Sequence, residues 1–233
     1  MPVITIAGTM GARVSEIGTG VANQLGLDYL DHEILVDGAR SLGVPVDVMV
    51  ERDERCQGFG GRIAGILRNF LEQSASAGAI DPMTGTAGVD VLLSRTYTEA
   101  VSAPSSGVDD KLYIAALTAI IEGLARRGNV VIVGRGGQAI LRGRPDVVHV
   151  AVNAPFEWRV ANIARRDGIP PEEAGRVISE FDKQRAAYHK KFFKVDVNDP
   201  SLYDIGLNSA SLGPERAMAA ICALAETREA VAV

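Results

Sequence analysis

Two short β-branched runs, VITIA at 3–7 and NVVIV at 129–133, each lead directly into a glycine, and a third, VVHVAV at 147–152, leads into NAPFEWRVANIARR. Runs this apolar and this short suit strands buried on both faces, as in a parallel sheet, rather than half-exposed strands that alternate. A fourth short strand, YDIGLNS at 203–209, precedes GPERAMAAICALAE. Helical spacing fills the intervals, with helices expected at about 15–25, 32–42, 109–127 and 170–192. Strand and helix in alternation predict an α/β fold whose parallel sheet carries helices on both faces.

The intervening segment 56–107 differs from the rest. Glycine, serine and alanine clusters surround two possible helices, and in the first Ile63, Ile66, Leu67, Phe70 and Leu71 follow the spacing of a one-sided helix. Such a helix either covers the core or the ligand cleft, or acts as a lid or homodimerisation element. The whole, residues 1–233, reads as one α/β domain, and 233 residues at 47% hydrophobic suffice to bury a sizeable core.

Charge narrows the partners. A formal net charge of -5 provides no general basic field, so a nucleic-acid polymer is not expected, while a small phosphorylated ligand is compatible. The run HKKFFK at 189–194 reads as the end of a helical lid rather than a nucleic-acid patch. Two distant cysteines, Cys56 and Cys222, fit neither a disulfide framework nor a zinc site and suit a reducing compartment. The apolar stretch at 113–125 contains Glu122 and falls short of the roughly 20 residues that span a bilayer. With no basic leader before the first strand, the expectation is a cytoplasmic protein without membrane contact.

The first strand-to-helix turn bears the chemistry. An ordinary nucleotide-binding loop reads G-x-x-x-x-G-K-[ST]: its backbone N–H groups surround phosphates, its lysine reaches the terminal phosphates, and its hydroxyl helps hold magnesium. The matching span here is Gly8-Thr9-Met10-Gly11-Ala12-Arg13-Val14-Ser15. Gly8 and Ser15 fit, whereas Arg13 replaces the second glycine and Val14 the lysine.

The phrase ITIAGTMGARVSEIGTGVANQLGLDYLDHEIL resembles the N-terminus of the cytidylate kinase-like family, relatives of the nucleoside monophosphate kinases. Members tend to read G-S-G-G-R-E-I-G after the first strand and D-x-E-[IL]-[IL] at the second helix. Gly11, Glu16, Ile17 and Gly18 fall on the first pattern and Asp31, Glu33, Ile34 and Leu35 on the second. In that family the loop lysine is commonly absent too. Gly134-Arg135-Gly136 resembles the strand-end glycine and arginine that face the acceptor phosphate, and Asp182-Lys183-Gln184-Arg185 resembles a D-x-x-R lid motif. The match covers about 3–55 and 108–223 and lapses over 56–107.

The resemblance implies a P-loop kinase-type three-layer fold with a helical lid at 165–200 and a helical insertion of the monophosphate-binding type. It further implies ATP and Mg2+, a nucleoside monophosphate as acceptor, and particular residues for each. Gly8, Thr9, Gly11, Ala12, Arg13, Ser15 and Arg165 would bind ATP; Asp31, Arg135 and Asp182 would bind the acceptor; Ser15 would supply the magnesium hydroxyl. Arg13, Arg135 and Arg185 would stabilise the charge that spreads during phosphoryl transfer.

Each residue also has a plainer reading. Arg13 can be a solvated loop arginine, and Ser15 an ordinary first-turn serine. Arg135, emerging where ligands of open α/β sheets bind, can instead pair with a helix carboxylate. Asp31 can cap the helix starting at His32, with Ile34 at its third position. Arg165 and Arg166 can face the carbonyl end of their own helix. VVIVGRGG lacks the magnesium-holding acid that such kinases often carry at the end of this strand. Two further functions therefore stay open: a phosphometabolite-binding module without turnover, and a transferase for another group such as sulfuryl.

Overall fold

A computed structural model describes residues 1–40, 54–76, 89–102 and 107–231, with side chains over 1–40, 60–73, 91–102 and 110–228. The glycine- and serine-rich stretches at 77–88 and 103–106, the expected end of the second helix at 41–42 and the Cys56 side chain lie outside the described residues. Among the described residues five strands, β1 (Val3–Gly8), β2 (Asp28–Leu30), β3 (Val130–Val133), β4 (Val147–Asn153) and β5 (Ile205–Asn208), form a parallel sheet in the order β2-β3-β1-β4-β5. Val3 pairs with both Val130 and Val147, so β1 is the central strand. Because the connection after β1 runs to β2 on one side and the connection after β3 runs to β4 on the other, the carboxyl edge between β1 and β3 is the switch point where an open α/β sheet leaves a crevice.

One sheet face carries Ile4, Ile6, Val131, Val148, Val150, Val152 and Leu207, packed beneath Ile17 and Val21 of α1 (Val14–Leu25) and Ala217, Ile221 and Cys222 of α10 (Ser209–Val231). Fully burying side chains of this size contributes about 1.5–3 kcal/mol each. The alternation of strand side chains sends Thr5 and His149 to the opposite face, where the Thr5 hydroxyl meets His149 Nδ1 at 2.7 Å. Burial holds the His149 imidazole below its ordinary pKa. At the edge of β4, Asp204 accepts the His149 N–H (2.7 Å) and both guanidinium nitrogens of Arg228. Burial pushes that carboxyl up, but the hydrogen bonds and charge of Arg228 outweigh it and hold the pKa below the usual value.

The other α-helices among the described residues are α2 (His32–Arg40), α3 (Glu54–Ser76), α4 (Val89–Leu93), α5 (Tyr97–Ser102), α6 (Gly107–Arg127), α7 (Gly137–Ile140), α8 (Phe156–Asp167) and α9 (Pro171–Phe193). The chain divides into two compact units. One comprises Met1–Tyr29, Tyr97–Ser102 and Gly128–Val233 and holds the sheet apart from Leu30; the other comprises Leu30–Thr96 and Ala103–Arg127, and its described residues after Leu30 are mainly helical. In the helical unit the α3 stripe is one-sided as its spacing requires, with Ile63, Leu67 and Leu71 buried. Asp31 caps α2: its Oδ1 accepts the Ile34 N–H at 3.0 Å. A Cβ at Gly38 would stand 2.8 Å from Ile63, so α2 and α3 meet at a position with room only for glycine.

Candidate active site

The loop after β1 is fastened on two sides. Thr9 N–H donates to Val152 O of β4 at 3.3 Å, and Ala12 N–H closes a turn onto Thr9 O at 3.1 Å. From α8, Arg159 donates to Met10 O (3.1 Å) and Asn162 Nδ2 donates to Gly11 O (3.1 Å). A trans peptide holds its C=O and N–H antiparallel. Drawing the Met10 carbonyl to α8 therefore turns the Gly11 N–H away from α8. Gly11 (φ 83°) is left-handed, and a Cβ there would lie 2.9 Å from Arg159 O. Arg13, also left-handed (φ 61°), precedes α1 without a side-chain cap. The first-turn amides of Val14, Ser15 and Glu16 precede the helical ladder and carry its positive dipole end, which favours an anion.

The two residues that break the usual loop pattern have settled places. Val14 packs against the sheet core, with Cγ2 only 2.4 Å from where a Gly8 Cβ would be. Met10 packs on Val160, Ile163, Ala174 and Ile178, between α8 and α9. Arg13 turns to the surface, pairing with Glu16 through Nε (2.6 Å) and Nη2 (2.7 Å). Ser15 is exposed in the first turn and Ala12 is fully buried.

Arg135 and Arg185 differ from Arg13, for each is only 5% exposed. Gly134 N–H extends the ladder to Ile6 O of β1 (2.9 Å), which brings Arg135 to the sheet edge beside the loop. Its backbone N–H donates to Tyr97 Oη at 3.3 Å, and its guanidinium lies 5.3 Å from the Tyr97 ring centre. Asp182, Arg185 and His189 share a face of α9, as their spacing requires, and Arg185 and His189 are buried on it. His189 Nδ1 meets Arg185 O at 2.8 Å. A carbonyl only accepts, so Nδ1 carries the proton. Burial holds this histidine at about 4, below the ordinary 6.5.

Arg159 escaped the sequence reading. It is 7% exposed and binds three acceptors: Ala154 O at 3.1 Å, Met10 O, and Asp182 Oδ2 at 2.7 Å. Its guanidinium also lies 5.5 Å from the Phe156 ring centre. A signal existed, because Arg159 precedes Ile163 by four residues and so belongs to the buried stripe of α8. Arg165 is exposed and reaches the loop at one remove, donating to Asn162 Oδ1 at 2.7 Å. Arg166 pairs with Asp167 in the last turn. Asp31 belongs to the helical unit, one residue after its first, and its carboxylate serves as the α2 cap.

Two oxygens associated with this loop, Thr9 Oγ1 and Asp182 Oδ1, are buried with no hydrogen-bond partner among the described residues. The Thr9 hydroxyl, which can donate, and the uncapped start of α1 fit a polyphosphate tail. Asp182 Oδ1, by contrast, belongs to a carboxylate held by Arg159 and only accepts, and a Cβ at Gly8 or Gly11 would meet Val152 O or Arg159 O of the protein itself. The fit for a divalent cation is narrower. No group of three or more His, Cys, Asp or Glu among the described residues could hold one, so Mg2+ would rest on the Ser15 hydroxyl and the phosphates that it accompanies. No helix among the described residues is long and apolar enough to cross a membrane.

Known proteins resemble this chain in sequence and in fold. It is 40% identical over 91 residues to a cytidylate kinase of Ignicoccus hospitalis, covering 39% of this chain and 52% of that protein. To a cytidylate kinase of Pyrococcus horikoshii it is 32% identical over 97 residues, covering 42% and 50%. The chain thus spans about half the length of the curated relatives it matches. Among solved structures, an uncharacterized protein from Eubacterium ventriosum shares the fold with a TM-score of 0.59 at 15% identity, covering 97% of this chain and 99% of that one. The family model described as cytidylate kinase-like matches residues 3–211, nearly the whole sequence. With a parallel sheet, a glycine loop at its switch point and that match, the chain belongs to the cytidylate kinase-like family.

Proposed function

We propose that this protein transfers a phosphoryl group from ATP to a nucleoside monophosphate, CMP or dCMP, with loop 8–15 holding the donor and Arg135 the acceptor phosphate. The observation that carries the reading is the fastened loop: α8 holds the Met10 and Gly11 carbonyls while α1 begins with no side-chain cap. Phosphoryl transfer demands little covalent work of a protein beyond alignment and charge stabilisation. Gly8, Thr9, Gly11, Ala12 and the first turn of α1 orient the donor. Arg135 and Arg185 supply preorganised positive charge, and Arg165, through Asn162, steadies the loop from outside. Residues 165–200 act as the lid and exclude water. Mg2+, held by Ser15 and the nucleotide, would neutralise charge on the donor phosphates.

A coupled assay over a panel of monophosphate acceptors tests this. Product is expected with CMP or dCMP, and Arg135→Ala should lower kcat on the order of 100-fold, the usual effect of removing one preorganised donor. Equal turnover by the variant removes Arg135 from the mechanism. Absence of product with every acceptor removes the kinase reading.

A second reading, a nucleotide-binding module without turnover, draws on Val14 in place of the lysine and on Arg13 engaged by Glu16. Calorimetry separates the two: ATP binding without product from any acceptor supports the module.

A further inference from the structure

Gly134 (φ 74°), Arg135 (φ 53°) and Gly136 (φ 77°) form a run of three left-handed residues, and only the middle one has a side chain to make that conformation unfavourable. Such a run persists when its surroundings hold it. Tyr97 stands on one side: its Oη accepts the Arg135 N–H and lies 3.1 Å from where a Gly134 Cβ would be, and its ring stands 5.3 Å from the guanidinium. Phe193 stands on the other, 2.3 Å from the site of a Gly136 Cβ. The two rings are joined through Tyr188, whose ring centre is 4.8 Å from Tyr97 and 5.8 Å from Phe193. Tyr97 also meets Phe181 edge-on at 5.5 Å.

The origin of Tyr97 in the chain matters. It opens α5, six residues that belong to the sheet-bearing unit although the chain on either side, up to Thr96 and from Ala103, belongs to the helical one. Lys191 of α9 fastens α5 there, donating to Ala100 O at 3.0 Å.

From this geometry we infer that Tyr97 is a positioning residue, which fixes the Arg135 guanidinium for the acceptor phosphate through its hydroxyl on the Arg135 backbone and its ring against the side chain. The inference rests on the acceptor role proposed for Arg135. Tyr97 touches no reacting atom and also packs on Phe181 and Tyr188 of α9; the effect inferred here passes through Arg135, so it governs acceptor binding and leaves donor binding unchanged.

The test is calorimetric titration of CMP, and separately of ATP, into the full chain and its Tyr97→Leu, Tyr97→Phe, Arg135→Ala and Tyr97→Leu/Arg135→Ala variants. Tyr97→Leu should weaken CMP roughly tenfold, the scale of a lost partly buried cation–π contact, with ATP affinity unchanged. In the Arg135→Ala background the same change should have no further effect, because coupled residues are not additive. A purely structural role would instead weaken both ligands, or weaken CMP equally in both backgrounds, and either result overturns the inference. If Tyr97→Leu does not fold, Tyr97→Phe decides: loss of the hydroxyl should weaken CMP about threefold, and wild-type affinity overturns the claim. Weakening by Arg135→Ala with indifference to Tyr97 defeats this inference alone. A wild-type protein that binds no CMP defeats the acceptor reading and this inference with it.

Discussion

Arg159 holds three acceptors from a buried position, so its removal leaves the Asp182 carboxylate and two backbone carbonyls without their donor. Breaking a buried ion pair from one side costs about 3–5 kcal/mol in general. Asp182 retains some exposure, so Arg159→Ala is expected near the lower end, about 3 kcal/mol in denaturant melts. Arg159→Met with Asp182→Leu, which removes both charges, should recover most of that loss; if it does not, the pair is not what makes Arg159 matter. His189 supports a prediction in pH. Its folded-state pKa, about 4, is depressed from 6.5 by burial, so between these values the unfolded chain binds the extra proton. Stability from this group is complete above pH 6.5, declines as pH falls through the window, and levels off below about 4, a span of about 3 kcal/mol. His149, shifted in the same direction, adds to the slope. His189→Gln should flatten the fall in Tm between pH 6.5 and 4, and parallel curves for variant and wild type would contradict the assignment.

Strands, helices and the loop were legible in unequal measure, for identifiable reasons. β1 and β3 could be read because buried parallel strands are short, β-branched and closed by glycine, and the α9 face carrying Asp182, Arg185 and His189 followed from helical spacing. The Asp31 cap was visible as an acid before a helical pattern. Arg159 was hidden because a lone arginine in an amphipathic helix is usually solvated, and only its place on the Ile163 stripe marks it as buried. Tyr97 was harder still, since no periodicity connects a six-residue helix to a strand end 38 positions later. The loop itself yields a prediction at this scale. Gly11→Ala forces a left-handed alanine and sets a Cβ 2.9 Å from the Arg159 carbonyl, so α8 or the loop must move. The expected result is a stability loss of about 1–3 kcal/mol, together with loss of the rise in Tm that ATP is expected to give the wild type. A variant that keeps that rise would show that the loop does not hold the donor.

At the scale of the whole molecule, the sheet's packed face joins the loop to α10, and Cys222 gives a chemical readout of that unit. Its thiol is buried among Ile4, Ile221 and their neighbours, and burial pushes its pKa up. A thiol reagent needs the thiolate and a path to it, so Cys222 should react only when this core opens. In a Cys56→Ser background, the labelling rate of Cys222 then measures the open population. Any ligand that binds only the folded state reduces that population by mass action. ATP at 100 times its Kd should slow labelling about 100-fold if it binds the sheet-bearing unit. Gly11→Ala should abolish the slowing even where the variant is still folded. CMP alone should slow labelling less in Tyr97→Leu than in wild type, because the positioning residue acts on acceptor affinity. If Cys222 reacts at the rate of an exposed thiol, or is indifferent to saturating ATP, donor binding and this packed core are not linked, and the switch-point crevice is not where the nucleotide is held.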